Sequence, residues 1–340
     1  MTRGRRKDLD EEDDELEERL GPEIPVNARP KASDYGFDLE ETLSSVLSIR
    51  THIPDDGFTA DTLGTERGGN AALINSDGLV LTVGYLVTEA ETIWLFDGQN
   101  RAVPGHVVGY DQETGFGLVQ ALQKLDLPPF ELGSSDSLQV GDPVILAGCG
   151  GVKHAVSAEV VSRREFAGYW EYMLDNAIFT APPHPLWGGS ALIGSDGMLL
   201  GIGSLYVQQS TDGKELVDVN MVVPIDILKP ILDELLRYGK TSKPPRPWLG
   251  MFTTEVDGQV IVAGVADNGP AQQADVQLGD VVLGVGGQPV DDMAQMYRKI
   301  WTQGPAGAEI PLNLQRSGDV VDVHVRSISR GALLKGPQLH

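Results

Sequence analysis

Along most of this chain the apolar residues fall in short runs broken by turn residues, a pattern that predicts strands more than helices. The first segment differs: Leu39, Leu43, Val46 and Leu47 lie at helical spacing and predict a short helix feeding a strand over 48–54. After a glycine-rich loop, Ala71–Ile74, the turn Asn75–Gly78 and Leu79–Thr82 predict a β-hairpin, because Ser-Asp-Gly supplies the left-handed turn positions. Further apolar runs at 92–96, 102–110, 116–121, 143–147, 156–161 and 176–180 continue the series and imply a sandwich or barrel. One strong helix is predicted at Ile227–Tyr238, with Leu228, Ile231, Leu232 and Leu235 on one face. Gly239 stands where a C-terminal cap glycine belongs, and Pro244, Pro245 and Pro247 forbid continuation. Beyond a boundary at about 240–246, residues 248–327 read strand, strand, short helix, strand, helix, strand, strand. Asp291 is the expected cap of the second of these helices, whose apolar positions are Met293, Met296, Tyr297, Ile300 and Trp301. The expected division is a tail at 1–37, one domain at 38–240, a linker at 241–247, a second domain at 248–328 and a tail at 329–340.

Composition narrows the partners. The 340 residues suffice for two domains with filled cores, and 41 glycines favour β architecture. Against 26 basic residues stand 49 acidic ones, and the net charge of -23 would repel nucleic acid and anionic membranes. Nine carboxylates crowd Asp8 to Arg19, a run expected to stay solvated and disordered. Cys149 is the one cysteine, so no intrachain disulfide forms, and no Cys/His set has zinc-like spacing. No metal or cofactor is expected. The first residues lack the apolar core of a signal peptide and no run reaches transmembrane length, which gives an expectation of a cytoplasmic protein without membrane insertion.

Residues Pro182 to Gly203 make a glycine turn, an apolar strand, a Ser-Asp-Gly reversal and a second apolar strand. A turn of this kind can expose one side chain and aim two backbone amides at one point, as a nucleophile and an oxyanion hole require. Here the turn carries no side chain able to attack. Ala72–Thr82 and Ala191–Gly201 echo one another 119 residues apart, as two similar β units or shared hairpin chemistry would.

Two blocks carry a family resemblance. Gly269 to Val290 (GPAQQADVQLGDVVLGVGGQPV) strongly resembles the central motif of a PDZ domain. Gly141–Gly148 and Val223–Gly239 resemble landmark segments of HtrA/DegP-like serine proteases, from about Thr42 to Ser327 overall. The resemblance implies a mainly β fold, a trypsin-like double β-barrel followed by a PDZ domain (α+β, partly open barrel), usually in homo-oligomers, trimers among them. It also implies where the chemistry should sit. The family's histidine, aspartate and serine positions fall on Tyr85, Gly115 and Gly188, so all three catalytic groups are missing.

Losing the serine or the base alone removes on the order of 10⁶ in turnover. The expected function is therefore a catalytically inactive adaptor or scaffold that binds peptides or the C-termini of partner proteins. The resemblance places the groove at Trp248, Leu249, Gly250, Met251 and Phe252, with Met293, Met296, Tyr297 and Ile300 as its other wall. The alternative is an atypical serine endopeptidase of protein quality control, active only after rearrangement, with Ser190 and His184 as the rescue pair, or with a competent partner. Asp111, Glu113 and Asp175 are read as surface or loop carboxylates, Tyr85 as filling the vacated histidine space, and Cys149 as a small buried hydrophobe.

Overall fold

The computed structural model describes residues 20–211 and 215–336. A short helix α1 (Leu39–Leu43) opens the ordered core; Asp38 Oδ1 accepts from the Glu41 amide at 3.0 Å, and Leu39 and Leu43 are buried. Six strands follow: β1 (Val46–His52), β2 (Glu66–Leu73), β3 (Leu79–Val83), β4 (Thr92–Phe96), β5 (Ala102–Tyr110) and β6 (Phe116–Ala121). They close into a barrel in the order β1-β2-β3-β6-β5-β4, with a single helical turn, α2 (Ala60–Leu63), between β1 and β2. The β2–β3 hairpin forms as its turn residues dictate: Asn75 Oδ1 accepts from the Leu79 amide at 2.8 Å and Gly78 takes φ 88°.

The second barrel comprises β7 (Pro143–Ala147), β8 (Ala155–Gly168), β9 (Tyr172–Ala181), β10 (Ala191–Ile193), β11 (Leu199–Thr211) and β12 (Glu215–Pro224). Its closed order is β7-β8-β9-β12-β11-β10, the first barrel's order with six added to every strand number. By that equivalence β2–β3 corresponds to β8–β9, whereas the sequence echo links β2–β3 with β10–β11. The echo is therefore shared hairpin chemistry and not the mark of a repeated unit.

The helix predicted at 227–238 is shorter. Pro230 disfavours helical geometry at Lys229 and cannot donate an amide, so residues 225–227 form a 3-10 turn and the helix α3 spans only Leu232–Tyr238. Its end is as expected, with Gly239 at φ 68° donating its amide to the Leu235 carbonyl.

The remaining elements are β13 (Met251–Val256), β14 (Gln259–Val265), α4 (Pro270–Gln273), β15 (Val281–Val285), β16 (Gln288–Pro289), α5 (Met293–Thr302), β17 (Glu309–Arg316) and β18 (Asp319–Arg326). The sheet runs β13-β14-β15-β17-β18 with β16 paired to β15, which leaves β13 at an edge. Its core gathers Leu249, Val262, Val285, Met296, Tyr297, Ile300 and Leu312 among others. Asp280, 1% exposed, receives Nε and Nη2 of Arg316 at 2.7 Å each, and these bonds hold its carboxyl below the usual carboxylate range. The cap of α5 is Asp292, accepting from the Gln295 amide at 2.7 Å, one residue after the expected Asp291.

Among the described residues the chain divides into two compact units, one drawn from 20–164, 176–241 and 335–336, the other from 165–175 and 242–334. The tip of the β8–β9 hairpin thus belongs with the C-terminal sheet. Two expected tails differ as well. Within 20–37, Ile24 is buried in the core of the second barrel and Arg29 Nε donates to its carbonyl at 2.6 Å. Near the other end, Ile328 exchanges backbone hydrogen bonds with Trp248, and the Lys335 amide donates to Glu89. Both segments have apolar or charge-assisted partners that composition alone does not disclose. The acidic run at 8–19 lies outside the described residues, as do residues 337–340.

Candidate functional site

The glycine turn sits where the two barrels meet, and its close packing explains its composition. The Asn70 amide on β2 donates to the Gly188 carbonyl at 2.8 Å, while Asn70 Nδ2 donates to the Leu186 carbonyl at 2.8 Å. Asn70 Oδ1 accepts from the Cys149 amide at 2.9 Å, so one buried side chain ties the turn to two other segments. Gly189 has φ 77°, and a Cβ there would fall on the Asn70 carbonyl and 2.6 Å from Thr82 Oγ1. Three of the turn's amides are already committed: Leu186 to His184 Nδ1, Gly189 to the Gly203 carbonyl and Ser190 to the Trp187 carbonyl.

Tyr85 lies on the 3-10 turn that follows β3, against this surface. A Cβ built on Gly188 would fall well inside van der Waals distance of the Tyr85 hydroxyl, and the Tyr85 and Trp187 rings are 6.1 Å apart. The Gly115 carbonyl accepts from the Gly84 amide at 2.7 Å, which brings position 115 to the same place. Tyr85 thus lies against Gly188, and Gly115 lies against Gly84, the residue before Tyr85; 85, 115 and 188 are the three positions at which the resemblance sets the missing groups. Beneath them, buried Arg67 donates to the Tyr85 carbonyl at 2.6 Å and to Thr59 Oγ1 at 2.7 Å. Burial raises the Tyr85 phenol well above its ordinary range, with Arg67 opposing, so it remains protonated at neutral pH. A protonated phenol offers no base.

His184 and Ser190, the rescue pair, are held by other partners. His184 Nδ1 accepts from the Leu186 amide at 3.0 Å, which leaves Nε2 to carry the proton and donate to the His154 carbonyl at 2.9 Å. Ser190 Oγ donates to the Trp187 carbonyl at 2.8 Å. Burial lowers the His184 pKa to about 4, so the ring stays neutral at pH 7 with both nitrogens engaged. Asp111 accepts from the Thr114 amide at 2.8 Å as a turn carboxylate, and Cys149 is 1% exposed.

In the C-terminal sheet the expected groove loop does gather amides. Gly250 takes φ 71°, and the amides of Leu249, Gly250 and Met251 converge on a single carboxylate oxygen, Glu171 Oε1, at 3.1, 2.8 and 3.1 Å. Burial pushes the Glu171 carboxyl up to about 7, against the pull of those amides. Phe252 is half-buried, and Met293 begins α5 with its amide donating to Glu255 Oε1 at 2.7 Å. Met251, Met296, Tyr297 and Ile300 have almost no exposed surface and pack in the sheet's core, while Trp248 is 5% exposed. Glu171 escaped sequence reasoning, since its partners lie 78 to 80 residues away and a hairpin-turn glutamate carries no motif.

Comparison with known proteins follows this geometry. Residues 69–202 match the trypsin-like peptidase domain and residues 247–326 match the PDZ domain. The chain is 29% identical over 263 residues to the "Probable periplasmic serine endoprotease DegP-like" of Pseudomonas putida, covering 74% of this chain and 53% of that protein. It is 26% identical over 272 residues to the "Periplasmic serine endoprotease DegP" of Escherichia coli, covering 76% and 56%. The chain spans about half the length of these curated relatives. Among solved structures, the HtrA-type protease AlgW with tripeptide matches with TM-score 0.51 at 20% identity, covering 91% of this chain and 99% of that one. A serine endoprotease from Yersinia pestis matches at 0.50 and 20%, covering 90% and 99%. The cytoplasmic expectation is corrected by the relatives, which are named periplasmic; it rested on the composition of the first residues, which does not fix a location. The chain carries a trypsin-like peptidase domain and a PDZ domain and is homologous to the DegP/HtrA serine endoproteases.

Proposed function

We propose that this DegP/HtrA homologue is a non-catalytic peptide-binding protein, an adaptor or scaffold built on a protease fold. The observation that carries the reading is the pairing of Tyr85 with Gly188: the hydroxyl fills the space a nucleophilic side chain at 188 would need. Glycine at 188 has no attacking atom, and a buried phenol near the base position accepts no proton at neutral pH. What survives is the scaffold, with β13 at one end of the sheet, where a strand can be added, and the amides of 249–251, which converge on a carboxylate. Peptides with a free C-terminus are the ligand class this arrangement suits. We also infer a periplasmic setting, in line with the relatives' names; an alkaline phosphatase fusion that stays inactive in the native host would reject it.

Incubation with unfolded casein and with a fluorophosphonate probe is expected to give neither cleavage nor labelling. Gly188→Ser alone is expected to remain inert, because its side chain meets Tyr85, and to lose about 1–3 kcal/mol of stability from overpacking. Labelling at Ser190 that disappears in Ser190→Ala would overturn the non-catalytic reading.

A further inference from the structure

The amides of 249–251 are not vacant: they hold a carboxylate of the same chain. Glu171 ends the turn Tyr169-Trp170-Glu171 that joins β8 to β9, and it sits at φ 59°. That left-handed conformation costs a non-glycine residue roughly 1–2 kcal/mol, so the turn is held by contacts outside itself. Besides Oε1, its Oε2 accepts from the Leu249 amide at 3.1 Å. The backbone then follows the edge strand. The Thr253 amide donates to the Tyr169 carbonyl at 3.2 Å, and the Tyr297 hydroxyl on α5 donates to the Gly168 carbonyl at 2.8 Å. The Glu171 side chain meets 249–251 and the Tyr169 carbonyl meets 253, so the turn lies beside this edge with its residue numbers running opposite to those of β13. Tyr169 also packs edge-on against Phe252 with ring centres 6.3 Å apart. A second grip comes from Arg298 on α5, which pairs with Asp175 at 2.6 Å and with Glu165.

We propose that residues 168–171 are a built-in occupant of the peptide groove, with the Glu171 side chain standing where the terminal carboxylate of a bound peptide would sit. The inference rests on the groove reading above and adds its regulation: a peptide C-terminus binds only by displacing this turn. One cluster of three amide donors satisfies one carboxylate, and a second at the same point would meet like-charge repulsion without donors of its own. Apparent affinity is then the intrinsic affinity multiplied by the fraction of molecules with the turn released, so a turn docked in nine molecules of ten weakens binding about tenfold.

The test compares full-length wild type, Glu171→Ala and Arg298→Ala by fluorescence anisotropy. The probe is a labelled heptapeptide pool ending in a free apolar residue, with the same pool amidated as control. Both variants are expected to bind the free-carboxylate pool at least tenfold tighter than wild type and to leave the amidated pool unbound. Hydrogen exchange at the amides of 249–251 is expected to quicken in Glu171→Ala without peptide. Equal binding by wild type and both variants would show that the turn does not compete, while the groove reading stands. If no protein binds although those amides lose protection in Glu171→Ala, the groove reading fails and this proposal with it. Should Glu171→Ala not fold, Arg298→Ala carries the comparison, since Arg298 does not touch the loop.

Discussion

Gly189→Ala is expected to destabilise the barrel unit by on the order of 4 kcal/mol and to lower its melting temperature by about 10 °C. Two costs add. The residue sits at φ 77°, where an L side chain costs about 1–2 kcal/mol. Its Cβ would also collide with the Asn70 carbonyl and crowd Thr82 Oγ1 in a closely packed seam, where overpacking costs about 1–3 kcal/mol. Neither obstacle is the mobile end of a long side chain: one is backbone, and the other is a hydroxyl already bonded to Asn70 at 2.7 Å. Thermal melts of the two proteins decide it. A loss below about 1 kcal/mol would mean that the turn relaxes freely and that its packing has been misread.

Acidification from pH 6.5 to 4 is expected to remove about 3 kcal/mol through His184 alone. The ring's pKa is about 4 in the folded protein and about 6.5 when unfolded, because burial opposes charge and the His154 imidazole is close by. A depressed histidine favours folding fully above the unfolded pKa. Protons then bind the unfolded chain first, so this contribution falls as pH drops below 6.5 and is lost by about 4. Burial lowers the His154 pKa too, so its effect has the same sign. Urea melts at several pH values on wild type and His184→Gln isolate the term as a difference in slope, because carboxylates common to both proteins cancel. Parallel slopes would show that His184 is not the responsible group.

Much of the fold was legible because β structure advertises itself locally. The hairpin at 71–82 needed only two short apolar runs and Ser-Asp-Gly between them, and Gly239 ended its helix as a glycine at that place should. The misreadings came where a local rule met a competitor. Pro230 cut the helix that leucine spacing had begun at 227, and Asp292, extended at φ -150° and accepting from the Gln295 amide, took the cap in place of its neighbour Asp291. Ile24 illustrates a different failure: one apolar residue in a proline-rich, charged segment gives no periodicity, yet the second barrel had room for it. The candidate site divides the same way. Positions 85, 115 and 188 were assigned from the family resemblance, each beside a short motif, whereas Glu171 and Arg298 make contacts with residues 78 to 133 positions away. No pattern along the chain encodes such distances.

Asn70 has a further consequence, for the order in which the molecule assembles. Its side chain closes loops of 79 and 116 residues, to Cys149 and Leu186, and no hairpin or single barrel brings those partners near it. Long loops lose their entropy before any contact rewards them, so the seam should lock late, after both barrels have closed separately. Asn70→Ala would then leave early refolding phases at their native rates while hastening unfolding, the signature of a clasp fastened last.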